Sequence, residues 1–344
     1  MMRKLLNTLY VTTQGAWVAR DGQTVAVRVE HEDRLRVPIH TLASLVCFGN
    51  VGVSPPAMSL CAESGVAVSF LTEHGHFLAR VQGPASGNVL LRREQYRRAD
   101  DAAGSAAIAR AVVMGKVANS RAVLLRGARE RGDGAESEEM LGAAARMGQA
   151  LCELQNADSV DRVRGIEGDA ARAYFGVFDH LIEVGKEGFF FHERSRRPPL
   201  DNMNALLSFL YTLLVHDVRA ALETVGLDPA VGFLHRDRPG RPGLALDLME
   251  ELRPLLGERL ALTLVNRQQV RAEGFQRTES GSVTMDEATR KTVLVAYQTR
   301  KQDEMAHPFL EEKLPVGMIA YAQALLLARH LRGDLDAYPP FFWK

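Results

Sequence analysis

Phe77-Leu-Ala-Arg-Val81-Gln-Gly83-Pro84-Ala-Ser-Gly-Asn88-Val-Leu-Leu-Arg92-Arg-Glu-Gln-Tyr96-Arg-Arg98 is the stretch on which the fold turns. Ahead of Gly83-Pro84, apolar residues recur at every second position, so Phe77, Ala79 and Val81 share one side of a strand. Beyond it, alanine, leucine and arginine dominate, and the apolar period lengthens to that of a helix. Upstream, the period of two continues. Val25, Val27 and Val29 oppose Ala26 and Arg28, and the pattern returns in Leu35, Val37 and Ile39, then in Val66, Val68 and Phe70. Asp21-Gly22, Gly49-Asn50 and Gly75 supply turns, and Pro55-Pro56 opens a short helix. Downstream, helices are expected almost to the end, with a polar loop from Arg131 to Glu139 and a Ser/Thr/Gly-rich loop over 276–286. The fold class is therefore α+β: an N-terminal β-rich domain over 1–86 and a larger all-helical domain over 87–344. The closing Tyr338-Pro-Pro-Phe-Phe-Trp-Lys344 is apolar and cannot be helical at its prolines. It should dock on its own domain or on a partner.

At 344 residues, 46% hydrophobic and 24% charged, the chain can bury a sizeable core without a metal or disulfide staple. Three scattered cysteines, Cys47, Cys61 and Cys152, suit neither a disulfide framework nor a zinc cluster and point to a reducing cytoplasm. The leading MMRKLLNTLYVTT does not read as a secretory signal, and no segment is expected to approach the ~20 apolar residues of a membrane span. Forty-two basic residues balance forty-two acidic ones. A nucleic-acid partner responds to the local field rather than the total, and arginines do cluster at 92–98, 194–197 and 236–241. Charge alone leaves such a partner open.

Three places could hold chemistry. In Gly165-Ile-Glu167-Gly168, a helical wheel over 160–174 puts Glu167 on the apolar face with Val163 and Ala171. A carboxylate there is costly unless paired, protonated or bound to a cation. A buried pair with arginine, or a side chain snorkelling to water, would equally account for it. In Gly232-Phe-Leu-His235, the imidazole ends an apolar run just before a basic turn; a capping or core histidine is the plainer alternative. Asp228-Pro229, upstream, reads as a helix cap and first-turn pair. In Asp247-Leu-Met-Glu250-Glu251-Leu-Arg253-Pro254, the acids fall at i, i+3 and i+4 on one helix face. They could hold a cation or simply form the wet side of an amphipathic helix. Carboxylates with one imidazole suit Mg²⁺ or Mn²⁺, with the imidazole favouring Mn²⁺. Arg162, Arg164, Arg236, Arg238 and Arg241 stand beside them and could grip phosphates. These are parts for phosphodiester chemistry.

Those motifs, with Leu9-Tyr-Val-Thr-Thr13, Arg92-Arg-Glu-Gln-Tyr96 and Asn202-Met-Asn-Ala-Leu-Leu-Ser-Phe-Leu-Tyr211, run in order along nearly the whole chain. In them the chain resembles the CRISPR spacer-acquisition integrase family. Glu312-Lys-Leu-Pro315 and the aromatic tail look most like its type I-C branch. The resemblance implies that Glu167, His235 and Glu250 are the metal ligands and catalytic residues, with Mn²⁺ or Mg²⁺ as cofactor. Asp247 is then a supporting acid, Glu251 a solvated neighbour, and Tyr211 a residue facing DNA. It further implies metal-dependent joining of a 3′-hydroxyl to a repeat phosphodiester, with nuclease activity at the same site. His235 would serve as ligand, as leaving-group acid, or as both. The implied partners are double-stranded DNA (prespacer and CRISPR repeat), a second copy of the chain bound through the β domain, and a small ferredoxin-like protein completing a heterohexamer. A RecB-like iron–sulfur nuclease that trims the DNA belongs to the same picture; a membrane does not. A branched-DNA repair nuclease and a non-catalytic DNA-binding scaffold are the competing readings.

Overall fold

The alternating N-terminal residues form eight strands: β1 (Asn7–Val11), β2 (Trp17–Asp21), β3 (Thr24–Val29), β4 (Glu32–Pro38), β5 (Leu42–Phe48), β6 (Gly52–Val53), β7 (Ala67–Leu71) and β8 (Phe77–Val81). This is seen in a computed structural model whose described residues are 7–73, 77–81, 83 and 89–343. The expected turn at Gly75, the domain boundary near residue 87 and the leading residues 1–6 lie outside the described residues. The strands make two four-stranded sheets, ordered β1-β5-β7-β8 and β4-β3-β2-β6. Asp21-Gly22 turns β2 into β3, pairing Asp21 with Thr24 and Trp17 with Arg28. Val18, Val25, Val27, Leu45, Leu60 and Val68 belong to one buried cluster. The alternation is looser than its pattern: Ala26 is as buried as its neighbours, and Leu35, on the edge strand β4, is exposed. Helix α1 (Pro55–Glu63) starts at the proline pair, and Ser54 Oγ accepts the Ala57 N–H at 3.3 Å. All three cysteines are free. Burial pushes the Cys47 thiol up to about 12 and the Cys61 thiol to about 11, which keeps both unreactive.

Helices carry the remainder: α2 (Val89–Asp100), α3 (Ala102–Arg131), α4 (Ala135–Gln155), α5 (Val160–Phe175), α6 (Asn202–Val225), α7 (Gly243–Glu250), α8 (Arg259–Asn266), α9 (Glu287–Gln302) and α10 (Ile319–Leu331). Arg253–Glu258, between α7 and α8, is a π-helical turn. The chain divides into two compact units, one taking residues 1–87 with Gln298–Asp303 and Pro315–Met318, the other the rest. The β-rich start and helical remainder match the expected fold class, with two small strand pairs added. One is β9 (Phe275–Arg277) with β10 (Val283–Met285), an antiparallel hairpin where a loop was expected. Its turn closes through Thr278 N–H to Ser282 O at 2.8 Å, with Gly281 at φ +80°. The other pairs β11 (Glu304–Ala306) with β12 (Lys313–Pro315). The loop expected from Arg131 to Glu139 shrinks to three residues, because α4 already begins at Ala135.

By length and composition, α6 is apolar enough to cross a membrane, against the expectation that no segment would be. Its apolar residues are spent inside the helical unit: Leu206, Leu207, Leu210, Leu214, Val218 and Leu222 are all buried. A core helix that is apolar nearly all round passes the same composition test.

Candidate active site

Ser159 opens α5, its Oγ accepting the Arg162 N–H at 3.4 Å, and this sets the rotation of the helix. Val163, Ile166, Ala170 and Tyr174 are buried, and Glu167 is half-buried on the same side, as the wheel indicates. Its charged partner is not an arginine. It is the ammonium of Lys116, on α3. Lys116 Nζ also lies 2.7 Å from Glu250 Oε2, and Glu250 Oε1 accepts from Arg253 at 2.6 Å. Two carboxylates from separate helices thus converge on one cation. Burial opposes charge on Lys116, but Glu250 and Glu167 outweigh it and raise its pKa. Burial likewise opposes charge on Glu250, yet Arg253 and Lys116 hold its carboxyl well below the usual range. Glu250 Oε2 meets Lys116 as a charge neighbour and receives no hydrogen bond of good geometry.

His235 is placed by Asp247. Gly232 and Gly243 touch through their backbones: a Cβ on Gly232 would stand 2.7 Å from the Gly243 carbonyl carbon and 2.8 Å from Asp247 Oδ2. Without that Cβ, the turn drops onto α7, and the fully buried Asp247 accepts the N–H groups of Phe233 (2.6 Å), Leu234 (2.9 Å) and His235 (2.9 Å). Asp247 Oδ1 also lies 2.7 Å from His235 Nδ1. The carboxylate that accepts these N–H groups is placed to accept from Nδ1 as well, which fixes the orientation of the ring and leaves Nε2 on the side away from Asp247. Arg164 ties the turn to α5, its Nε donating to Leu234 O at 2.8 Å and its guanidinium pairing with Asp161 at 2.9 Å.

Glu167, His235 and Glu250 line one cleft of about 450 Å³ together with Arg164, Arg236, Arg238 and Arg241. Arg236 pairs with Asp161 at 2.7 Å. Burial and the charge of Arg238 lower the pKa of Arg241, a sign of crowded positive charge. Among the described residues, no three His, Cys, Asp or Glu side chains stand close enough to grip an ion as they are. The donor set nevertheless fits a hard divalent cation: two carboxylates sharing one cation position, with an imidazole on the same wall.

Several expectations are corrected. Tyr211 does not face outward: it is buried, its hydroxyl donates to Glu258 at 2.7 Å, and Arg253 lies 4.2 Å from its ring centroid. Glu251 is not solvated; it has no exposed surface and accepts from Tyr338, Gln323 and Phe341. The wheel misplaced it because α7 is buried on every side, acids included. No helix follows Asp228-Pro229; Asp228 Oδ1 caps a turn instead, accepting Ala230 N–H at 2.8 Å. Arg162, by contrast, is exposed on α5, outside the cleft lining, which leaves its expected contact with phosphates open. Sequence reading missed Lys116 and Arg253. Lys116 had a signal: it falls on the apolar face of α3, three residues after Val113 and four after Val112.

The model of the family described as "CRISPR associated protein Cas1" matches residues 9–299. The chain belongs to the Cas1 family. A Cas1 relative from Rhodospirillum rubrum, named "CRISPR-associated endonuclease Cas1 2", is 54% identical over the full length of both chains. Another from Chlorobaculum tepidum, "CRISPR-associated endonuclease Cas1 1", is 51% identical, again over the whole of both. Among solved structures, a casposase bound to integration product superposes with a TM-score of 0.82 at 21% identity, covering 98% of this chain and 94% of that one. At that identity it shares the Cas1 fold.

Proposed function

We propose that this chain is a metal-dependent DNA endonuclease and integrase that inserts new spacer DNA into a CRISPR repeat array. The observation carrying this is the cleft itself, in which Glu167 and Glu250 share one cation position beside His235 and a wall of arginines. Family membership and the endonuclease names of relatives at 51% and 54% identity support it. Glu167, His235 and Glu250 would hold a single Mn²⁺ or Mg²⁺. Such an ion supplies Lewis acidity at a phosphodiester. Arg236, Arg238 and Arg241 seat the flanking phosphates of the DNA. Asp247 keeps His235 Nε2 turned into the cleft, where it can hold the ion or, protonated, give its proton to a leaving oxygen. Lys116 and Arg253 balance the charge of the two carboxylates. The 3′-hydroxyl of an incoming fragment attacks in line, a new 3′-hydroxyl leaves, and water in the same place gives cleavage.

The same reading assigns the remaining partners. The β-rich unit pairs two copies, and a small ferredoxin-like protein joins two such dimers into a heterohexamer on prespacer and repeat DNA. Its setting is cytoplasmic, and within the family it is placed in the type I-C branch, where a RecB-like iron–sulfur nuclease trims the fragment.

The test is half-site joining of a labelled fragment to supercoiled repeat DNA in Mn²⁺. Glu167→Ala and His235→Ala should each lower joining by at least about a hundredfold, as loss of a metal-binding group does, while the dimer persists by sedimentation, and EDTA should abolish joining by the wild type. Near-normal joining by either variant, or cleavage of branched DNA with no preference for repeat ends, would sink the assignment.

A further inference from the structure

Residues 338–343 dock on the helical unit. Gln323 of α10 donates through Nε2 to the Tyr338 hydroxyl oxygen at 2.7 Å and to Pro339 O at 3.1 Å, and the other hydrogen bonds fall on two positions beside the candidate site. One is Glu251, which directly follows Glu250. Its Oε1 accepts the Tyr338 hydroxyl at 2.7 Å, and its Oε2 accepts the Phe341 N–H at 2.7 Å and Gln323 Nε2 at 2.8 Å. The other is Asn119, fully buried on α3 one turn from Lys116. Asn119 Nδ2 donates to Glu251 O at 2.8 Å and to Phe341 O at 2.9 Å, and its Oδ1 accepts the Trp343 N–H at 2.7 Å. The junction has no slack. A Cβ on Gly115, beside Lys116, would lie 3.0 Å from Glu251 Cγ and 3.3 Å from Phe341 O. Phe341 is wholly buried, and the Arg259 guanidinium sits 4.8 Å from the Trp343 ring centroid.

We infer that the C-terminal segment is a positioning element of the active site, clamping the end of α7 to α3 so that Glu250 and Lys116 keep their separation. This rests on the metal-site reading above. None of the clamp residues lines the cleft; they act through Glu250 and Lys116. A segment needed only for stability could bond anywhere along α3 and α7. This one bonds next to Glu250 and one turn from Lys116, where a shift of ~1 Å would spoil ligand geometry.

The experiment uses the full chain with Asn119→Ala and Tyr338→Phe, and with Leu154→Ala, a buried residue of α4, as a control for lost stability. Mn²⁺ affinity is read by electron paramagnetic resonance, and kcat and KM for DNA cleavage are measured alongside Tm. Asn119→Ala should weaken Mn²⁺ binding by about tenfold and lower kcat by about as much, leaving KM for DNA within about twofold. Tyr338→Phe, which removes one oxygen and keeps the fold, should move both in the same direction by a smaller factor. Leu154→Ala should lower Tm and leave Mn²⁺ affinity and kcat unchanged. If Asn119→Ala and Tyr338→Phe lose only Tm, as Leu154→Ala does, the clamp is overturned while the site stands. If the wild type shows no Mn²⁺ binding that Glu250→Gln removes, the site reading falls and the clamp falls with it.

Discussion

At the residue scale, Asp247 and His235 share one hydrogen bond and carry different burdens. Asp247 holds three backbone N–H groups in place besides the imidazole. Cutting it back to alanine orphans buried donors that cost about 1–3 kcal/mol each before relaxation. Asp247→Ala should therefore lose about 3 kcal/mol in urea unfolding, and DNA joining with it. His235→Ala leaves those three bonds intact; it should cost no more than about 1 kcal/mol of stability and still lose joining. Equal losses of stability in the two variants would contradict this division. Glu167 was legible at this scale, since a carboxylate on an apolar helix face is conspicuous in a wheel. Glu251 was not, because a wheel assumes one wet side and α7 has none.

At the element scale, the π-helical turn Arg253–Glu258 decides what Arg253 and Glu258 touch. It brings Arg253 to Glu250 and Glu258 to the Tyr211 hydroxyl, with the Tyr211 ring against Gly257. A Cβ at Gly257 would overlap Tyr211 Cε1, so Gly257→Ala should destabilise by about 1–3 kcal/mol in calorimetry. Gly142, exposed within α4 with open space around it, makes the contrast: Gly142→Ala should stabilise by about 0.5–1 kcal/mol. A neutral Gly257→Ala would mean that the turn is loosely packed. Pro254 marks an irregularity here in the sequence, but nothing local distinguishes a π-helical turn from a simple helix end. Likewise, Asp228-Pro229 carries helix-start chemistry, and only the surrounding packing turns the chain away instead.

At the scale of the whole molecule, a net charge of zero coexists with a cleft wall of arginines. DNA binding should therefore be strongly salt-dependent despite the balanced total. Replacing Arg238 and Arg241 together by alanine should lower the slope of log affinity against log salt by about two. Arg126→Ala, on the exposed side of α3 and paired with Glu130, should leave it unchanged. Equal slopes for all three proteins would place the DNA elsewhere. The sequence by itself determined the order of β-rich and helical parts, because apolar periods of two and 3.6 are local properties of a chain. It also marked Glu167 and His235 as conspicuous, because polar groups in apolar runs must be compensated, and Asp247 with Glu250 by their spacing on one helix face. Only the tertiary structure decided what compensates them. Arg253 is only three positions from Glu250, but Lys116 reaches Glu167 across 51 positions and Tyr338 and Phe341 reach Glu251 across 87 and 90, and pairing at that distance is settled by how helices pack, which no local pattern encodes.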